Sequence, residues 1–177
     1  MRSLAGLATI LDPRTYLHAL RLLHYYNYTH VQPLRRVRRG PGTRIAPNVS
    51  IGNPERLTIG ARVHIGARCS LWAGPRTGRI VIADGCVLGP DVFVTAANYR
   101  FEDDAHVFDQ GFREADVVIG EWAWLGARVI VLPGASIGRR AVIGAGSVVT
   151  SAIPDDVVAV GAPARVVRTR ARSGTAA

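Results

Sequence analysis

The stretch IGEWAWLGARVIVLPGASIGRRAVIGAGSVVT, residues 119–150, returns an aliphatic side chain at every sixth position: Ile119, Leu125, Val131, Ile137, Ile143 and Val149. Glycine follows directly at Gly120, Gly126, Gly138 and Gly144, while Pro133 and Gly134 shift the turn of the third unit. Neither a helical period nor a plain strand alternation puts glycine at a fixed sixth place, so the unit is a short strand plus a turn. Repeated, it coils as a parallel β-helix. The glycines are expected to adopt φ > 0 and to let stacked backbones approach.

The same period runs earlier in looser form, through Ile45 and Ile51, then Ile59, Ile65 and Leu71, then Ile82, Leu88 and Val94. A second, small position recurs at Val63, Cys69, Cys86, Val92, Ala123, Val129, Ala135, Ala141 and Ser147. One large and one small inward residue per unit suit a narrow prism with flat walls and tight corners. Three units close a coil of about 18 residues, and stacked coils bury a core that no single unit buries alone.

The chain of 177 residues divides into a basic, aromatic N-terminal segment (1–42), the coil (43–168) with an interruption at 95–118, and a polar tail (169–177) expected to fray. Tyr16, Leu20, Leu23 and Tyr26 recur at helical spacing with Arg14 and Arg21 opposite, so a helix is expected there. Asp12 would cap it and Pro33 would end it. Packed over the open end of the coil, this helix would leave Arg35, Arg36, Arg38 and Arg39 solvated; the other reading rests both on an anionic membrane surface or a phosphorylated acceptor. The first eleven residues lack a cleavage site, and no apolar run is long enough to span a bilayer, so a cytoplasmic protein, at most loosely membrane-attached, is expected.

A formal charge of +9 raises the question of nucleic acid. The arginines, which supply every basic side chain except the five histidines, are spread along the coil at Arg62, Arg68, Arg128 and Arg139, without an aromatic-interleaved stripe or a recognised motif, so no nucleic-acid partner is expected. Cys69 and Cys86 fall on small inward positions and read as packing. No spacing among histidines, cysteines and carboxylates resembles a metal site. His18, His24, His30 and His64 read as packing or exposed residues.

Four stretches carry a resemblance: Trp124-Leu125-Gly126, Leu132-Pro133-Gly134, Val142 through Thr150, and Gly161-Ala162-Pro163-Ala164-Arg165. With the repeat, they make the chain similar to the hexapeptide-repeat acyltransferases, on their acetyltransferase branch, over residues 43–168. The resemblance implies an all-β, left-handed parallel β-helix with a short helical N-terminal segment and one long active-site loop; general crossover rules alone favour the right hand. It also implies a homotrimer with its cleft between subunits, and Trp122 and Trp124, too large for solvent without cover, point to the same association.

By the same resemblance, acetyl-CoA is the donor and no metal takes part. Trp124 would line the cleft beside the thioester, Ala127, Ala145 and Thr150 would track the pantetheine arm, and Arg165 and Arg168 would meet the phosphates. Ser70 would face the acceptor. In the family the interruption carries Asn-His-Arg, whose histidine takes the proton from the acceptor; this chain has Asn98-Tyr99-Arg100. A tyrosine phenol is almost wholly protonated at neutrality, so Tyr99 does not inherit the role, and loss of a general base costs on the order of 10²- to 10⁴-fold. Three readings stand: His106 supplies the imidazole, binding and orientation carry a slower reaction with Tyr99 shaping the pocket, or the chain is a catalytically impaired homologue serving as a binding or regulatory subunit. The loop is closer to the saccharide-modifying branch, so the acceptor is expected to be a sugar hydroxyl in surface polysaccharide or glycolipid synthesis.

Overall fold

The computed structural model describes residues 12–170. The apolar run before Asp12 and the tail from Ala171 lie outside the described residues. Short strands wind into a parallel β-helix with three faces. The first face carries strands beginning at Arg38, Leu57, Ile80, Val117 and Ser136; the second, Arg44, His64, Val87, Trp124, Val142 and Val157; the third, Ser50, Ser70, Phe93, Ile130 and Val148. The first rung therefore starts at Arg38, inside the segment expected to precede the coil. In the late coils the rise is one repeat triplet, with Trp124 beside Val142 and Ile130 beside Val148. Arg165–Thr169 closes the second face as an antiparallel strand against Val157–Val160.

Both inward positions are buried as the pattern requires. Ile59, Ile65, Leu71, Ile82, Leu88, Ile119, Leu125, Ile137 and Ile143 form the interior walls, and each such side chain contributes roughly 1.5–3 kcal/mol on burial. The small set from Val63 to Ser147 lies buried at the corners. Cys69 and Cys86 are free and buried, and each thiol donates to a carbonyl one coil on, Cys69 to Gly89 and Cys86 to Gly120, at 3.1 Å. Burial pushes the Cys86 thiol up to about 11, so it stays a thiol at neutrality.

The glycines do half of what was expected. Gly120, Gly126, Gly138 and Gly144 are absent from the positive-φ positions, which fall two residues later at Trp122, Arg128, Arg140 and Gly146. Close approach is the reason for glycine: a Cβ on Gly126 would lie 2.7 Å from the Ala145 nitrogen, and one on Gly138 would lie 2.5 Å from the Asp155 nitrogen.

The N-terminal helix corrects two expectations. It does not end at Pro33. α1 (Pro13–Tyr26), capped by Asp12, runs through a π-helical segment (Asn27–Val31) into α2 (Gln32–Arg36). Pro33 has no N–H and its ring crowds the carbonyl four residues back; the wider π turn ahead of it accommodates both. Nor does α1 cover the coil, since none of its residues is buried. Pro33 and Val37 are buried and Leu34 packs on the core, so the last turn and its exit seal the coil's open end, while the π segment lies beside the strand beginning at Ser50 and Tyr26 donates its hydroxyl to the Pro47 carbonyl at 3.2 Å.

Candidate active site

The interruption after Val94 folds as a hairpin: Ala97–Tyr99 pairs antiparallel with Phe112–Glu114, closed by the Arg100 N–H donating to the Gly111 carbonyl at 3.0 Å. Its base is clamped. The Glu114 carboxylate accepts the N–H groups of Arg76 (3.1 Å), Thr77 (2.6 Å) and Gly78 (2.7 Å) from the turn before the first-face strand Ile80–Ile82, earlier in the chain. Burial works to raise the Glu114 carboxyl, but the hydrogen bonds from Gly78, Thr77 and Arg76 outweigh it and hold it below the usual range. The hairpin is therefore positioned by an ionised side chain.

A cleft of about 710 Å³ opens between this hairpin, the third face and the N-terminal helix. Trp72 and Phe93 form its floor, edge to face at 5.4 Å. Tyr25 and Tyr28 come from the helix, and Tyr99 and Phe112 form the end wall, their rings 4.6 Å apart. Asn98, Asn53, Ser50, Thr29, Gln32, Arg36 and Glu55 add polar groups. Aromatic walls with a few hydrogen-bonding groups suit a sugar, whose CH faces lie on rings while its hydroxyls find donors and acceptors.

Asn98 and Tyr99 are thus brought together in the cleft. His106 is not among its lining residues: it sits near the hairpin tip, stacked on Phe108 at 5.5 Å, with its Nδ1 accepting the Phe108 N–H at 3.4 Å. Ser70 stands on the same face, in register between Ser50 and Phe93, yet Ser50 lines the cleft and Ser70 does not. The sequence reading missed Tyr25, Tyr28, Trp72, Phe93 and Phe112. A usable signal existed for two of them, because Trp72 and Phe93 are large aromatics at outward positions of the repeat.

The residues matched to the donor lie mainly around the second face. Trp124, half exposed, shares one cross-strand row with Val142, Val158 and Arg168. Arg165 lies on the same closing strand. Ala127 and Ala145 stack at the edge where this face turns into the third. Neither alanine N–H makes a backbone hydrogen bond among the described residues, while the Ala127 carbonyl accepts from Gly146 at 2.9 Å. A Cβ at Gly146 would meet nothing within 4 Å, so this edge faces open space. Thr150 stands exposed at the next corner, apart from that pair. Free amides in an open, small-walled track fit the amide groups of a pantetheine arm.

Trp122 has the Arg62 guanidinium 5.3 Å from its ring centroid and Gly85 against the ring, yet about half of it stays exposed, as does Trp124. Among the described residues no group of three or more His, Cys, Asp or Glu side chains is placed to hold a metal, and no helix is long and apolar enough to cross a membrane.

Comparison with known proteins agrees with this fold. Residues 116–151 match the model of the bacterial transferase hexapeptide (six repeats), and residues 56–96 match the hexapeptide repeat of succinyl-transferase. The galactoside O-acetyltransferase of Lactococcus lactis is 37% identical over 158 residues, covering 85% of this chain and 75% of that one. The galactoside O-acetyltransferase of Escherichia coli is 27% identical over 164 residues, covering 88% and 79%. A solved galactoside acetyltransferase in complex with coenzyme A superposes with a TM-score of 0.69 at 24% identity, covering 89% of this chain and 81% of that one. The coil, its hexapeptide period and these relatives together place the chain in the hexapeptide-repeat acetyltransferase family, with the left-handed parallel β-helix of that family.

Proposed function

We propose that this protein moves an acetyl group from acetyl-CoA to a hydroxyl of a sugar in surface polysaccharide or glycolipid synthesis, in the cytoplasm, at a seam between subunits of a homotrimer. The hydroxyl oxygen attacks the thioester carbonyl, a C–O bond forms, the C–S bond breaks, and the hydroxyl proton ends on the departing sulfur. Ala127 and Ala145 offer their free N–H groups to the pantetheine, Trp124 walls the thioester, Arg165 and Arg168 pair with phosphates, and Thr150 continues the track. The aromatic cleft holds the sugar and Asn98 orients the reacting hydroxyl. The observation that carries this reading is the cleft itself, aromatic-walled and ending on Asn98 and Tyr99.

With Tyr99 in place of the family's histidine, orientation carries the reaction. For His106 to act, the hairpin tip must release it from the Phe108 N–H. A second reading, a noncatalytic homologue that binds without turning over, draws on the same two residues. CoA release is to be measured with candidate sugars for wild type, Tyr99→His and His106→Ala. The proposal expects slow wild-type turnover, a gain on the order of 10²-fold or more in Tyr99→His, and no loss in His106→Ala. Loss confined to His106→Ala assigns the base to His106. No turnover in wild type together with gain in Tyr99→His establishes the noncatalytic reading.

A further inference from the structure

The helix that walls the acceptor cleft carries more apolar surface than it uses. α1 has no buried residue, and Tyr16, Leu17, Leu20, Leu22 and Leu23 each expose half or more of their surface. At 3.6 residues per turn, Tyr16, Leu20, Leu22 and Leu23 gather on one arc, with Arg14, His18 and Arg21 on the other, while Tyr26 in the last turn is tied to the coil through its hydroxyl on the Pro47 carbonyl. The π segment and α2 hold the helix at its C-terminal end, but the described residues do not bury the apolar surface of its earlier turns, which is left for a partner to cover. A shallow groove along it, lined by Leu20, Leu23, His24, Tyr26, Asn27 and Val31, continues the apolar arc past the end of α1.

Charge identifies the cover. Between Pro13 and Pro54 the chain carries seven arginines (Arg14, Arg21, Arg35, Arg36, Arg38, Arg39 and Arg44) and neither aspartate nor glutamate. That segment supplies most of the formal charge of +9. A second copy of the same segment would bring like charge against like, whereas an anionic bilayer presents negative headgroups over an apolar interior. A basic helix with a leucine- and tyrosine-rich face lies in such an interface, its apolar arc at the acyl boundary and its arginines among the headgroups.

We propose that α1 docks this protein on the surface of an anionic phospholipid bilayer. The helix reaches the acceptor cleft through its last turn and the π segment, where Tyr25, Tyr28 and Thr29 line the wall. Docking therefore sets the cleft beside the headgroup layer, where a membrane-bound glycolipid acceptor is presented. This last step rests on the acetyltransferase reading; the docking does not.

The test is co-sedimentation of the full chain with vesicles of equimolar phosphatidylcholine and phosphatidylglycerol, against vesicles of phosphatidylcholine alone. Leu20→Ser/Leu23→Ser removes apolar contact and Arg14→Gln/Arg21→Gln removes charge; all four residues lie outside the cleft and the donor track. Circular dichroism confirms that the variants fold, and sedimentation velocity gives their oligomeric state. Pelleting with the anionic vesicles is expected, falling with salt. The leucine variant should partition on the order of 100-fold more weakly and the arginine variant on the order of 10-fold. Acetyl transfer to a soluble sugar should be unchanged in both, which separates failure of docking from failure of the enzyme reading. Absence of pelleting, equal pelleting with neutral vesicles, or dissociation of an oligomer by Leu20→Ser/Leu23→Ser overturns the proposal, the last by making the stripe a subunit seam.

Discussion

Two edges of the same prism, built from the same repeat, end differently. Where the first face turns into the second, two rungs are filled, the Ala61 N–H caught by the Asp84 carboxylate at 2.9 Å and the Arg139 N–H by Asp155 at 2.7 Å, each acid one coil on, while the Asp84 and Glu121 N–H groups between them have no such partner among the described residues. Where the second face turns into the third, the residue in that place over Ala127 is Ala145, and both N–H groups stay bare. Earlier rungs of that second edge carry Pro47 and Pro90, which have no N–H to satisfy, and Ala67, whose N–H is bare like those of the two later alanines. An unpaired backbone donor is kept only where water or a ligand meets it. The contrast lies in single rungs: the repeat dictates both edges, and the choice of side chain one coil on decides which N–H groups are filled and which stay free to bind.

As scaffold the two edges should be equivalent. Gly126→Val and Gly138→Val each force a side chain into backbone of the next coil and should cost about 3 kcal/mol, read by chemical denaturation. A large difference between them would mean that the edges are not stacked alike. Removing the carboxylate at a filled rung, by Asp155→Ala, leaves the Arg139 N–H to water and should cost about 1 kcal/mol, with CoA affinity unchanged in calorimetry.

The hairpin clamp gives a pH dependence. Because the folded Glu114 carboxyl lies below its ordinary value, its contribution is fully present above the usual carboxylate range and is lost as pH falls through the folded value. The Thr77 and Gly78 amide resonances should therefore shift below about pH 4, and the step should vanish in Glu114→Gln. The smallest effect expected is at the turns themselves. Arg128 holds φ at +59° on the bare edge, a conformation that asparagine tolerates better, so Arg128→Asn should raise stability by about 0.5 kcal/mol in thermal unfolding.

Much of this was legible in the sequence. The sixfold return of aliphatic residues fixes the coil because burial repeats with the same period, and Cys69 and Cys86 were recognisable as corner packing for the same reason. The break at Val94 marked the hairpin, and Asn98 and Tyr99 are in the cleft. The reason for glycine was half legible: sequence shows that a small residue is needed, whereas only stacked coordinates show that the need is a neighbouring backbone and not a positive φ. The cleft was illegible because its walls come from segments far apart in the chain, with Tyr25 and Tyr28 brought to Trp72 and Phe93 by a helix that the π turn carries past Pro33. Ser70 and Ser50 are adjacent on one face, and nothing in the repeat distinguishes which of them the cleft reaches.

A bare rung can be converted into a filled one by a single change. Ala145 stands to Gly126 as Asp155 stands to Gly138 and Asp84 to Gly60, each nitrogen 2.5–2.7 Å from the Cβ that the glycine lacks. Ala145→Asp should therefore place a carboxylate on the Ala127 N–H as Asp155 does on Arg139. Titration calorimetry of CoA against wild type and Ala145→Asp tests the role of that rung: affinity weakened on the order of 10-fold or more, with the melting temperature held or raised, is the expected result. Unchanged CoA affinity in a folded Ala145→Asp protein would contradict it.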